Sequence, residues 1–199
     1  MRCLVSTAGL LLFAAGMANA QGSPVSKPLF DGKTLTGWQA RSTSAPASTG
    51  EWSVEQGAIV CPGTSPGWLS TDATYGDYVL TLEFRGAAGV NSGVFIRSAK
   101  EGQPHVTGYE VQIWDNQPAG FNTGSLVGSL KAGPTKMLPD QWNSFEIIAH
   151  GEHFRVALNS KTLLDMNDSK HPSPGVIGFQ CQKGNRIEFR NIRLIPVGR

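Results

Sequence analysis

The chain has 199 residues, with 17 Lys and Arg against 15 Asp and Glu, a formal charge of +2, and 16% charged residues where about 25% is usual. That balance excludes a surface built for nucleic acid or for an anionic membrane. The 24 glycines imply many tight turns, and the length suits one domain with a sizeable core.

Residues 1–20, "MRCLVSTAGLLLFAAGMANA", carry Arg2, an apolar run through Phe13 and small residues ending Ala18-Asn19-Ala20. This pattern predicts a secretory signal cleaved near Ala20, with a run too short to span a bilayer. Cys3 sits too early to be a lipidation site. The expectation is a soluble protein, periplasmic or secreted, beginning near Gln21. Losing Arg2 lowers the formal charge from +2 to +1. Residues 21–28 read as a leader and 29–199 as a single domain. Of the two remaining cysteines, Cys61 and Cys181, an oxidising compartment would allow one disulfide, and two separate buried thiols are the other reading.

From there strand-like runs follow in order: "EWSVEQGAIVC", "DYVLTLEFRG", "SGVFIRS", "GYEVQIWD", "NSFEIIAHG", "HFRVALNS", "GVIGFQCQ" and "RIEFRNIRLIPV". Each is short, rich in Val, Ile, Phe or Tyr, and mostly alternating. No segment keeps a 3.6-residue apolar period for three turns. The chain therefore reads as all-β, a two-sheet sandwich. In "FEIIAHGEHFRVALNSKTLLDM", Gly151 marks one turn and Asn159-Ser160 a second. His150 and His153 beside the first turn read as solvent-exposed. Arg41–Gly50 and Ser98–Gly108 read as polar loops, and Asn116–Pro139 as a long Gly- and Pro-rich connection of functional or mobile character. Asp165, Asn167 and Asp168 lack EF-hand spacing and read as a strand end. There is no G-x-S-x-G elbow, H-E-x-x-H pair, Cys/His cluster or phosphate-binding glycine loop, so neither a metal nor another cofactor is implied.

The chemistry concentrates in three of these runs. In "GYEVQIWD", Tyr109, Val111 and Ile113 form a core face, and Glu110, Gln112 and Trp114 the other. If the strands holding Glu83 and Arg85, Phe95 and Arg97, and Glu110 and Gln112 are neighbours, these residues share one sheet surface with strands about 4.8 Å apart. A plain solvated face would carry ion pairs worth less than about 1 kcal/mol each. The absence of lysine and the mixture of amides, carboxylates and aromatics favour a carbohydrate groove instead.

The strings "PLFDGKTLTGWQ", "NSGVFIRS", "GYEVQIWDN", "TGSL", "WNSFEIIAHGEHFRVALN" and "RIEFRNIRL" occur in that order. As an ordered set, running from about Pro28 to Pro196, they resemble the bacterial exported family named for 3-keto-disaccharide hydrolase. The resemblance implies a concanavalin A-like, laminin G-like jelly roll with its site on the concave sheet. It carries over onto Asn91, Ser92 and Arg97, onto Glu110, Gln112 and Asp115, and onto Glu83. Val127 departs from it where many relatives have an aromatic residue, as does Asn159-Ser160 where many have Asn-Gly.

The implied partner is a small carbohydrate, a 3-keto glycoside, whose ketone acidifies the proton on carbon 2. Glu110 or His105 would be the base, Arg97 the enolate stabiliser, and Asp115 the acid or the group orienting water. Asn91, Ser92, Gln112, Trp114, Phe95 and Arg85 would bind the sugar. A non-catalytic carbohydrate-binding module is the second reading. A conventional glycosidase using Glu83 and Glu110 is the third, for which those carboxylates must lie about 5 to 9.5 Å apart. Nothing in the sequence fixes an oligomeric state.

Overall fold

The computed structural model describes residues 25–43, 48–171 and 174–198; the expected signal, residues 1–20, lies outside them. Among the described residues thirteen strands and one helical turn are formed: β1 Lys27–Pro28, β2 Trp38–Arg41, β3 Ser53–Glu55, β4 Ala58–Cys61, β5 Gly67–Thr71, β6 Tyr78–Gly86, β7 Ser92–Ser98, α1 Pro104–Thr107, β8 Tyr109–Ile113, β9 Asn143–His150, β10 His153–Leu158, β11 Lys161–Asn167, β12 Val176–Cys181 and β13 Ile187–Pro196. They form two antiparallel sheets. The larger has the order β11-β10-β9-β6-β13-β4-β3 with β1 also on β13, and the smaller is β2-β5-β12-β7-β8. This is the expected all-β jelly-roll sandwich. No helix among the described residues is long and apolar enough to cross a membrane.

The alternation read from the sequence becomes burial. Along β6, Tyr78, Leu80, Leu82 and Phe84 are buried while Val79, Thr81, Glu83 and Arg85 are half-buried on the outer side. Between the sheets Phe179 stacks on Phe189 at 4.1 Å and on Trp38 at 5.2 Å between ring centroids. Cys61 of the larger sheet and Cys181 of the smaller are joined as a disulfide, with Cα atoms 5.9 Å apart. The expected turns are present: Gly151, Asn159 and Ser160 all have positive φ, connecting β9 to β10 and β10 to β11.

Three elements differ from the sequence reading. Lys27 and Pro28 are not leader but pair with Leu194 and Arg193. The polar loop after β7 holds the single turn α1. Most consequentially, β6 is not a neighbour of β7: it lies between β9 and β13 in the other sheet. Alternation shows which residues share a face of one strand, but not which sheet that strand joins.

Candidate functional site

The outer face of the smaller sheet can be laid out from its strand registers. Gln39 of β2 stands opposite Ser70 of β5, Ser70 opposite Gly178 of β12, Gly178 opposite Phe95 of β7, and Phe95 opposite Glu110 of β8. Two residues along, Arg41 pairs with Trp68, Trp68 with Gln180, and Gly93 with Gln112. Trp68, Phe95 and Val176 form an apolar cluster separate from the main core. Trp68 and Phe95 meet edge to face, with ring centroids 5.6 Å apart.

Two glycines make this face possible. A Cβ on Gly93 would lie 2.4 Å from Glu110 Oε1, so the carboxylate occupies the space a side chain would fill. A Cβ on Gly178 would lie 2.8 Å from the Trp68 ring, which folds over β12 in the same way. Glu110 is thus 5% exposed. Burial pushes its carboxyl up to about 8, and an interaction with the Gln180 side chain acts in the opposite direction. Two buried polar atoms on this face, the donor Trp68 Nε1 and the acceptor Gln180 Oε1, have no hydrogen-bond partner among the described residues.

Arg41 lies at the far side of this face, its guanidinium carbon 6.0 Å from the Trp68 ring centroid. It donates from Nε to Ser70 Oγ at 2.6 Å, from Nη2 to Gln39 Oε1 at 3.0 Å and from Nη1 to the Lys100 carbonyl at 3.3 Å. Gln103 Nε2 donates to the Thr43 carbonyl. The connection after β7 therefore reaches the end of β2 across the intervening β12 and β5, strapping the face. At the opposite edge the long connection lines β8: Gly124 N–H donates to the Gln112 carbonyl, Gln112 N–H to the Ser125 carbonyl and Val127 N–H to the Glu110 carbonyl.

The sequence-predicted site residues divide accordingly. Glu110, Gln112 and Phe95 share the face. Glu83 and Arg85 do not: they lie on the outer side of the larger sheet, Glu83 paired with Arg190 at 2.6 Å and Arg85 with Glu188 at 2.6 Å. The expectation that they share a surface with Glu110 is corrected by the position of β6, and Glu83 and Glu110 cannot flank one bond across a sandwich whose sheets are about 10 Å apart.

Arg97 also leaves the face. The pairing of β7 with β12 shifts register between Val176 and Gly178, and Arg97 has φ 55°. This bulge turns a side chain that alternation placed outside toward the larger sheet. There Arg97 is paired with Asp77 at 3.0 Å, donates to the Gly151 carbonyl at 2.5 Å and lies 5.0 Å from the Phe154 ring centroid.

Four of the remaining residues make structural hydrogen bonds. Asp115 accepts from Thr123 Oγ1 at 2.6 Å and from the Met137 N–H, drawing together both ends of the long connection. Ser92 Oγ donates to the Gln180 carbonyl, Asn91 N–H to Asn185 Oδ1, and Trp114 N–H to Thr123 Oγ1. His105 is exposed on α1, its imidazole held below the ordinary value by desolvation and then by Lys170. Among the described residues no group of three or more His, Cys, Asp or Glu is placed to hold a metal ion.

Trp68, Ser70, Gln180, Gln39 and Arg41 were missed by sequence reasoning. "WQAR" does alternate, but four residues make a weak signal. "GWLST" is buried on both faces and sits in a Gly-, Pro- and Ser-rich stretch, so no period marks it.

A candidate glycosyl hydrolase from Parabacteroides distasonis matches with 25% identity and a TM-score of 0.74, over 87% of this chain and 100% of that one. Another from the same organism matches with 21% identity and a TM-score of 0.73, over 87% and 94%. The carbohydrate-binding module CBM66 from Bacillus subtilis, with 15% identity and a TM-score of 0.60 over 78% and 93%, shares the fold. No curated protein matches the sequence. The model of the 3-keto-alpha-glucoside-1,2-lyase-like domain matches residues 25–195, a span that takes in both sheets and every residue of the Glu110 face. The chain therefore belongs to the 3-keto-alpha-glucoside-1,2-lyase-like domain family.

Proposed function

We propose that this domain cleaves the glycosidic bond of 3-keto glycosides by elimination followed by hydration, with Glu110 as the base. The observation that carries this reading is a single buried carboxylate with a raised pKa, set among Trp68, Phe95, Gln112 and Gln180 on one sheet face. A carboxylate with a pKa of about 8 is a far stronger base than an exposed one and still ionises near neutrality. It takes the proton from carbon 2. The electron pair moves into the enolate of the carbon 3 ketone, then returns to form the carbon 1–carbon 2 double bond as the glycosidic oxygen departs and takes up the proton that Glu110 removed, which restores the carboxylate. Water then adds across that bond.

The enolate needs a donor. Trp68 Nε1–H, buried without a partner, and the Arg41 guanidinium are donors on this face, and they replace Arg97 in that role. Gln180 Oε1, an acceptor without a partner, suits a sugar hydroxyl. We assign Asp115 to holding the long connection and not to proton donation. Entry of a disaccharide requires the Arg41–Lys100 and Gln103–Thr43 hydrogen bonds to release, at about 1 kcal/mol each.

Purified protein incubated with 3-keto disaccharides and their unoxidised parents tests the reading. Monosaccharide should be released from the keto forms alone. Binding of sugars with no release from any keto substrate would make the domain a carbohydrate-binding module.

A further inference from the structure

The opposite side of the molecule carries a second built feature that the Glu110 face leaves unused. On the outer side of the larger sheet, Arg85 donates from Nε and Nη2 to Glu188 Oε2 at 3.1 and 2.6 Å. Arg186, just before β13, is 2.9 Å from Glu55 and 3.1 Å from the other Glu188 oxygen. Arg85 and Arg190 both lie over Trp142, at 4.7 and 3.9 Å from its ring centroid. Two cavities, of about 630 and 220 Å³, share Arg85, Arg186 and Glu188 as a common wall. The larger is closed by the small-residue turn from Gly86 to Val90 and by Asp140 and Asn185. The smaller contains Trp142.

An ordinary surface ladder packed on Trp142 accounts for the ion pairs, each worth less than about 1 kcal/mol, but it does not need the hollow. The charge is the guide to the ligand. Arg85, Arg186 and Arg190 are matched by Glu55, Glu83 and Glu188, so the cluster has no net positive charge to attract an anion. Yet Nη1 of Arg85 and Nη1 of Arg186 have no hydrogen-bond partner among the described residues. Planar N–H donors and carboxylate acceptors stand together beside a hollow within the roughly 300 to 1,000 Å³ of small-ligand sites, and the Trp142 indole lines the smaller hollow on the other side of their common wall. That set matches the adjacent hydroxyls of an uncharged sugar.

We infer that the larger hollow is a second, non-catalytic carbohydrate site, in which Arg85, Arg186, Glu188 and Asp140 hold a neutral sugar, with Trp142 packed behind the Arg85 guanidinium. It lies on the other sheet from Glu110, so it stands or falls independently of the cleavage chemistry.

The test is an NMR titration of the full mature chain carrying Glu110→Gln, with trehalose as the neutral probe and gluconate as the anionic one. Trehalose should give a saturable shift of the Trp142 indole N–H and of the Arg85 and Arg186 Nε–H signals, with gluconate weaker. Arg186→Ala, at a half-exposed position that leaves the fold intact, should weaken that binding about tenfold or more, the scale of a hydrogen bond to a charged group. The same substitution in the wild-type background should leave turnover of a 3-keto disaccharide unchanged. Shifts confined to Trp68, a stronger response to gluconate, or binding undiminished in Arg186→Ala would each overturn the inference.

Discussion

Glu110 is the residue on which the rest turns, because its environment opposes its charge. Its ordinary value is near 4.5 and burial pushes it up to about 8. The folded state therefore holds the proton more tightly than the unfolded chain. The corresponding stability is fully present below about 4.5 and is lost as pH rises through about 8. Glu110→Gln removes the buried charge and keeps the shape. Its melting temperature should exceed that of the wild type at pH 9 and match it near pH 4, a difference of a few kcal/mol that differential scanning calorimetry will read. Trp68→Phe keeps the aromatic floor and removes the unpartnered N–H. Loss of one such donor should lower kcat about 100-fold with little change in KM.

At the scale of elements, the face is shaped by what two strands lack. Gly93 and Gly178 leave room for the Glu110 carboxylate and the Trp68 indole. In Gly93→Ala the new methyl would lie 2.4 Å from Glu110 Oε1 and 2.7 Å from its Cγ, so the fold should survive only with the Glu110 side chain displaced. Turnover should fall at least about tenfold, because small misplacements of a catalytic group are costly, with the melting temperature changed by only a few degrees. Strands β7 and β8 were legible because their core faces alternate cleanly, and Glu110, Gln112 and Phe95 came with them. Strands β2 and β5 were not legible: one is very short and the other is buried on both faces, so Arg41 and Trp68 stayed hidden. The bulge at Arg97 was equally invisible, since "VFIRS" alternates as if the strand were regular while one extra residue reverses the direction of the arginine.

For the whole molecule, the two sheets are held by more than their apolar faces. Arg97 reaches from the smaller sheet to Asp77 and Gly151 beside the larger one, and the disulfide joins β4 to β12 across 120 residues of sequence. Arg97→Ala leaves Asp77 without its cation in a partly buried place. It should cost about 3 to 5 kcal/mol in chemical denaturation, the mark of a structural clamp. Cys61→Ala with Cys181→Ala should cost about 2 to 5 kcal/mol. What the sequence could not convey at this scale was the assignment of strands to sheets. Glu83 and Arg85 have the same alternation as Glu110 and Gln112, and only long-range pairing separates them onto opposite sides of the sandwich. The most direct measurement is the pH dependence of kcat/KM for a 3-keto disaccharide, in the wild type and in Glu110→Gln. With Glu110 as the base, the wild-type rate should rise with pH and level off above about 8, and the variant should be slower by about 100-fold or more with that rise gone. A variant that keeps both the rate and the rise would contradict the assignment of this face as the site of cleavage.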